Sequence, residues 1–350
     1  MVKPRIAYVL DPRFPGGTSS AVAAELAVVS QLGVVTVHAQ SSAMFKGRDV
    51  APQLQDLLLR LDITMIWDSP EIAADIVIFH NPSCLRFQDR FDAKIIARHF
   101  IVVAHENFLR PGGAEAFDVA RCMGLLESSS FAVKRTLAPI SAWNRTTITD
   151  WIAARRSLDA WSVLDVDWFN ICAFPNVEPV ANPTDRRGRL SRPGLEKFPQ
   201  RDVMDLCFPP HADANVILGA DAFIADDSSP AHWTLIPFRG LQVSRFFDMI
   251  DFMVYFTAPT FRESFGRVMA EAVAAGKIVI SDPETSRIFG GAVRGAAPEE
   301  VEEIIQEYIN NPERYQADVR AAQKKLARFS PQQFEKQIGA ILTQKTGVLV

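Results

Sequence analysis

Short apolar runs recur along the chain at 5–10, 34–38, 63–67, 76–79 and 100–104, and again at 216–218, 233–236, 253–256 and 278–280. They are rich in branched and aromatic residues, and helical segments separate most of them. A strand that is apolar throughout must be covered on both faces, and parallel neighbours need crossover connections. The alternation therefore predicts an α/β chain built on doubly wound parallel sheets. In such sheets ligands sit beyond the carboxyl ends of the strands. The residues that follow each run are thus the first candidates for chemistry.

The runs fall into two groups, and 350 residues suffice for two domains. Hydrophobic content of 48% with 22% charged residues describes an ordinary globular protein. Lys plus Arg (37) nearly balances Asp plus Glu (41), so no basic field attracts nucleic acid and none is expected as a partner. No apolar run reaches the ~18 residues of a membrane span. The run at 6–10 is too short for a signal peptide, so a cytoplasmic protein is expected. Cys84, Cys122, Cys172 and Cys207 are scattered and fit buried thiols in a reducing cytosol. The six histidines form no metal-ligand motif, and no metal is expected.

The most informative stretch is 260–282, TFRESFGRVMAEAVAAGKIVISD. Pro259 breaks the chain after the run at 253–256, Glu263 to Gly266 turns it, and 267–275 are good helix formers. Gly276 stands where a helix C-terminal glycine belongs, and 278–280 is the next strand. The first amides of a helix lack internal partners and lie at the positive end of its dipole, so they attract an anion. Glu263 precedes those amides, and Glu271 stands two turns on, roughly 12 Å along a helix. That is about the length of a sugar diphosphate with its ribose. One carboxylate can hold sugar hydroxyls and the other ribose hydroxyls, with the diphosphate on the amides of Ser264, Phe265 and Gly266.

Two glutamates eight apart prove nothing alone, but the motif E-S-F-G-R-x3-E-A-x-A-x-G resembles the Glu-x7-Glu signature of retaining glycosyltransferases of family 4 type. The resemblance implies the GT-B fold: two Rossmann-like domains facing across a cleft, with 1–174 on the acceptor side and 175–330 holding the nucleotide sugar. The segment 331–350 would be a last helix packing back on the first domain. It implies a nucleoside diphosphate sugar as donor and co-substrate, with no cofactor and no metal. Asp226-Asp227 resembles an Asp-x-Asp metal motif only loosely.

Other candidates follow from strand ends and from that resemblance. His80 and His105 each close an apolar run. His105 matches by placement the histidine that reaches the donor sugar in the resembled family, and is favoured over His80; Glu106 and Asn107 beside it are weaker acceptor-side candidates. Gly17, in the Gly-Gly turn after the first run, would lie beside the donor phosphates. Four arginines crowd 186–192, ordinarily a solvated face. Here the Gly-Arg-Leu…Lys order resembles the family's phosphate-binding loop, with Arg189 and Lys197 in the phosphate roles. The Arg-to-Lys gap is long for the family, and no apolar strand precedes Gly188, so Arg192 stays a competitor.

The expected activity is transfer of a sugar to an acceptor hydroxyl in polysaccharide or glycoconjugate synthesis. Glu263 and His105 would position the sugar, and Arg189, Lys197 and the helix amides would stabilise the departing diphosphate. The acceptor is open among a lipid-linked sugar, a glycan or a small molecule, as is peripheral contact with the inner membrane face. Two alternatives share the fold, a non-catalytic binding subunit and a nucleotide-sugar epimerase. A dinucleotide-dependent oxidoreductase lacks its glycine fingerprint.

Overall fold

The computed structural model describes residues 3–14, 17–155, 160–225 and 229–343. The chain divides into two compact units, Met1–Ile171 with Phe329–Val350, and Cys172–Arg328. Each carries one wholly parallel sheet.

In the first unit, strands β1 (Arg5–Leu10), β2 (Val34–Ala39), β3 (Met65–Trp67), β4 (Glu71–His80), β5 (Lys94–Ala104), β6 (Ser130–Pro139) and β7 (Trp161–Val163) stand in the order β3-β2-β1-β4-β5-β6-β7. β4 and β5 start earlier than their apolar runs, and β6 had no run assigned to it. The early halves of β4 and β5 alternate buried and exposed, and Ile96 on β5 and Phe131 and Val133 at the start of β6 face solvent. A half-solvated strand has period two and carries no continuous apolar signal. The helix Pro331–Thr343 belongs to this unit: Phe334 stands edge-on to Trp168 and Phe169, each at 5.6 Å. Gln337 also donates to the Asp167 carbonyl.

In the second unit, β8 (Arg186–Leu190), β9 (Ala214–Leu218), β10 (Thr234–Ile236), β11 (Phe252–Tyr255), β12 (Ile278–Ser281) and β13 (Arg294–Gly295) stand in the order β10-β9-β8-β11-β12-β13. In both sheets the winding direction reverses once, between β1 and β4 and between β8 and β11. Those reversals open crevices at the strand ends, where open α/β sheets bind ligands.

The arginine-rich stretch is neither a solvated face nor a loop preceded by a missing strand. It is β8 itself, hydrogen-bonded to β9 and β11 in the middle of its sheet. Acidic partners, two of them distant in sequence, make this tolerable. Arg187, fully buried, pairs with Asp185 and Glu302 and donates to the Cys207 carbonyl. Arg186 forks onto Asp251, with contacts of 2.9 and 2.8 Å. Buried charges need such pairing. Gly188 follows them, where a Cβ would come within 2.5 Å of Ile250.

No described helix is long and apolar enough to cross a membrane. Gly16 and Asp226-Asp227 lie outside the described residues.

Candidate active site

The second unit gathers most of the expected site at its crevice. β8 leads into the loop carrying Lys197, and β11 ends at Tyr255, a few residues before Glu263. Lys197 Nζ lies 2.7 Å from Glu263 Oε1, and Tyr255 Oη donates to the same oxygen at 2.5 Å. Both donors land on Oε1, so the carboxylate is oriented by two fixed groups. Burial pushes the Glu263 carboxyl up, but the Lys197 charge and the two hydrogen bonds outweigh it and leave the group below its ordinary value. Burial also lowers Lys197, against which Glu263 pulls it up. A buried pair of this kind holds its charge through mutual contact.

Arg189 packs behind the pair. Its guanidinium covers the Tyr255 ring at 4.2 Å and the Phe198 ring at 4.8 Å, and donates to the Lys197 carbonyl. It is 0% exposed, with Nε unpartnered among the described residues. Cation–π contact replaces a carboxylate here. Arg192, by contrast, is exposed, 3.7 Å from Glu196. The structure thus brings Arg189, Lys197 and Glu263 together, with Arg189 beneath the cluster.

Ser264, Phe265 and Gly266 lead from Glu263 into the helix Arg267–Ala274. The Phe265 ring is buried against Phe289, leaving only its backbone available to a ligand. Gly266 takes φ +80°, and a Cβ there would collide with the Met269 methyl. As the N-cap residue it provides no capping side chain of its own for the first helical amides. The helix closes in a Schellman motif: Gly276 (φ +81°) donates to Val273 and Lys277 to Ala272, each at 3.1 Å. Glu271, half-buried on that helix, is raised by burial and drawn back by Arg267.

In the first unit His105 follows β5, and His80 ends β4. His80 Nδ1 lies 3.0 Å from His105 Nε2, so the two candidates form one pair rather than alternatives. Burial holds His105 down to about 3 and His80 well below its ordinary value, so both rings are neutral at physiological pH. Gly17 opens the helix Gly17–Leu32, exposed, with nothing within 4 Å of where a Cβ would stand. Glu106 is engaged by Ser83 and Arg86, and Asn107 accepts from Asn144.

Tyr255, which orients Glu263, was invisible in the sequence because it ends an ordinary buried strand. Glu25 carries a signal in the sequence, as the lone charge in the Ala/Val-rich helix Gly17–Leu32. It stands 0% exposed beside His80. Two groups among the described residues bring ligand-type atoms within 4.8 Å of one another, Glu25–His80–His105 and Asp185–His211–Glu302. The second is already neutralised by Arg187.

No protein-family profile matches the chain, and no curated protein matches it in sequence. Solved structures do match it in shape. HepE of Anabaena, solved with UDP and glucose, is 16% identical over 97% of this chain and 99% of that one, with TM-score 0.66. Sucrose-phosphate synthase from Thermosynechococcus elongatus is 12% identical over 98% and 99%, with TM-score 0.62. WaaG, a glycosyltransferase involved in lipopolysaccharide biosynthesis, is 13% identical over 97% and 100%, with TM-score 0.55. At such identities the likeness is one of fold: two Rossmann-like domains of the GT-B type.

Proposed function

With the GT-B fold as premise, we propose that the chain is a retaining, metal-independent glycosyltransferase that uses a nucleoside diphosphate sugar. The observation that carries this reading is the Lys197–Glu263–Tyr255 cluster, set at the switch point of the second sheet and followed directly by an uncapped helix start. Departure of the diphosphate develops negative charge, which Lys197 and the amides from Ser264 to Gly266 stabilise from fixed positions. Glu263, held through Oε1, accepts a sugar hydroxyl on Oε2 and orients the ring. Its engagement with a cation and a phenol suits positioning better than attack on the anomeric carbon. Glu271 holds the ribose and Arg189 backs the phosphate site from below, while His105 keeps the sugar-contact role that the family resemblance implies. HepE was crystallised with UDP-glucose as well as UDP, which makes UDP-glucose the first donor to try.

The test is thermal stabilisation by a panel of nucleotide sugars, with Lys197→Met and Glu271→Ala alongside. A donor at 100 times its Kd adds about 2.7 kcal/mol of stability. One nucleotide class should stabilise the wild type, and both variants should lose at least tenfold in affinity. A wild type that no nucleotide sugar stabilises would sink the reading. Slow hydrolysis of the responding donor then separates a transferase from a binding subunit, which leaves the donor intact.

A further inference from the structure

Behind His105 the first unit holds a file of buried polar groups that sugar binding alone does not require. His105 Nε2 meets His80 Nδ1 at 3.0 Å. On the far side of the His80 ring, Nε2 faces Glu25 Oε2 at 3.4 Å, long for a hydrogen bond and with no other partner among the described residues. The same oxygen accepts from Trp168 Nε1 at 2.9 Å. Tyr8 stacks flat on His80, with centroids 5.3 Å apart and planes 11° apart, which fixes the ring plane. His80 therefore turns one nitrogen to each neighbour. A metal ion shared by all three would need its imidazole to present a single nitrogen to a common centre, so the arrangement is a relay rather than a ligand set.

We propose that Glu25 and His80 are positioning residues that set which ring nitrogen of His105 carries the proton, and so whether His105 meets the substrate as a donor or an acceptor. The chemistry follows link by link, because each neutral imidazole has one N–H and one lone pair. With Glu25 protonated, its hydroxyl donates to His80 Nε2, His80 Nδ1–H donates to His105 Nε2, and His105 presents Nδ1–H. With Glu25 ionised, His80 carries its proton on Nε2 and His105 on Nε2, so His105 presents a bare Nδ1. Passing between these states moves each proton one place along the file. The proton on His105 Nδ1 goes to water or to a bound hydroxyl, and the negative charge appears on Glu25. Neither end state contains an imidazolium.

Burial pushes the Glu25 carboxyl up to about 8, with the Trp168 bond opposing, which brings the switch into the working range of an enzyme. The other groups around it do not interfere. Tyr8 is held un-ionised by burial and by Glu25. His38 on β2 is engaged with Ser69 and Thr36. Asp56 and Arg60 on the helix Pro52–Arg60, and Glu335 and Lys336 on the helix Pro331–Thr343, are exposed. The role of His105 toward a sugar rests on the glycosyltransferase reading; the relay itself does not.

The experiment is long-range proton–nitrogen correlation on protein labelled with nitrogen-15 histidine, followed from pH 6 to 9.5 without ligand, with His80→Asn and His105→Gln used for assignment. In the wild type, both rings should pass from Nδ1–H to Nε2–H with a shared midpoint near 8. In Glu25→Gln, the amide oxygen must face Trp168 and can only accept from His80. Both rings should then stay Nε2–H across the range. Rings that keep one tautomer throughout in the wild type, titrate to imidazolium, or switch unchanged in Glu25→Gln would overturn the relay. UDP-glucose is then added to the wild type at both ends of the range. An intact switch with no change at the His105 ring on saturation would overturn the sugar contact and leave the relay standing.

Discussion

Glu25 and Glu263 are both buried glutamates, and their surroundings push them in opposite directions. Glu263 has Lys197 and Tyr255 and sits below its ordinary value, so its contribution to stability is present near neutrality and lost as pH falls. Glu25 has no cation partner among the described residues and is raised by burial to about 8. A folded-state value above the unfolded one stabilises fully below the unfolded value, near 4.5, and is lost as pH rises through 8. At about 1.4 kcal/mol per unit, the loss across that window is several kcal/mol. Wild-type stability in urea should therefore decline from pH 5 to 8.5, and Glu25→Gln should flatten the decline while remaining as stable at pH 5. An unchanged slope in the variant would place the ionisable group elsewhere. The sequence showed Glu263 because a motif surrounds it, and offered Lys197 as a phosphate candidate, but their pairing is supplied by the fold. It hid Tyr255 and the use of Glu25, since their meaning comes from neighbours that only the fold supplies.

At the scale of elements, the helix Arg267–Ala274 and its two glycines were fully legible, because capping is local chemistry written within a few residues. Gly266 is the sharper constraint. A side chain there must adopt φ +80° and displace the Met269 methyl, and the left-handed conformation alone costs about 1–2 kcal/mol. Gly266→Ala should lower stability by roughly 1–3 kcal/mol and weaken binding of the responding nucleotide at least tenfold, since the helix amides shift with the turn. Denaturant unfolding and calorimetric titration check the two effects separately, and tight binding retained in a destabilised variant would argue against amide contacts. The strand β8 was illegible for the opposite reason. Arg186–Leu190 carries little apolar signal, and it becomes a central strand only because Asp185, Asp251 and Glu302 absorb its charge. Propensity yielded to pairing across more than a hundred residues.

At the scale of the whole molecule, the first unit is completed by the chain's last described helix. Phe334 is fully buried against Trp168 and Phe169, and Trp168 is also the donor that holds Glu25. Phe334→Ala should cost about 3–5 kcal/mol, and the loss should appear in hydrogen exchange of β1 and β4 rather than in the second sheet. Uniform loss across both sheets would show instead that the two units unfold as one. The order of synthesis is also affected. A ribosome delivers residues 1–171 long before 331–343, and β8 long before Glu302, so neither unit has its full set of partners when its first strands emerge. Both must wait in a partly formed state, with Arg187 paired to Asp185 alone in one and Trp168 uncovered in the other. The nascent chain is therefore most exposed to chaperones and misassembly until Glu302, and then the helix Pro331–Thr343, has emerged.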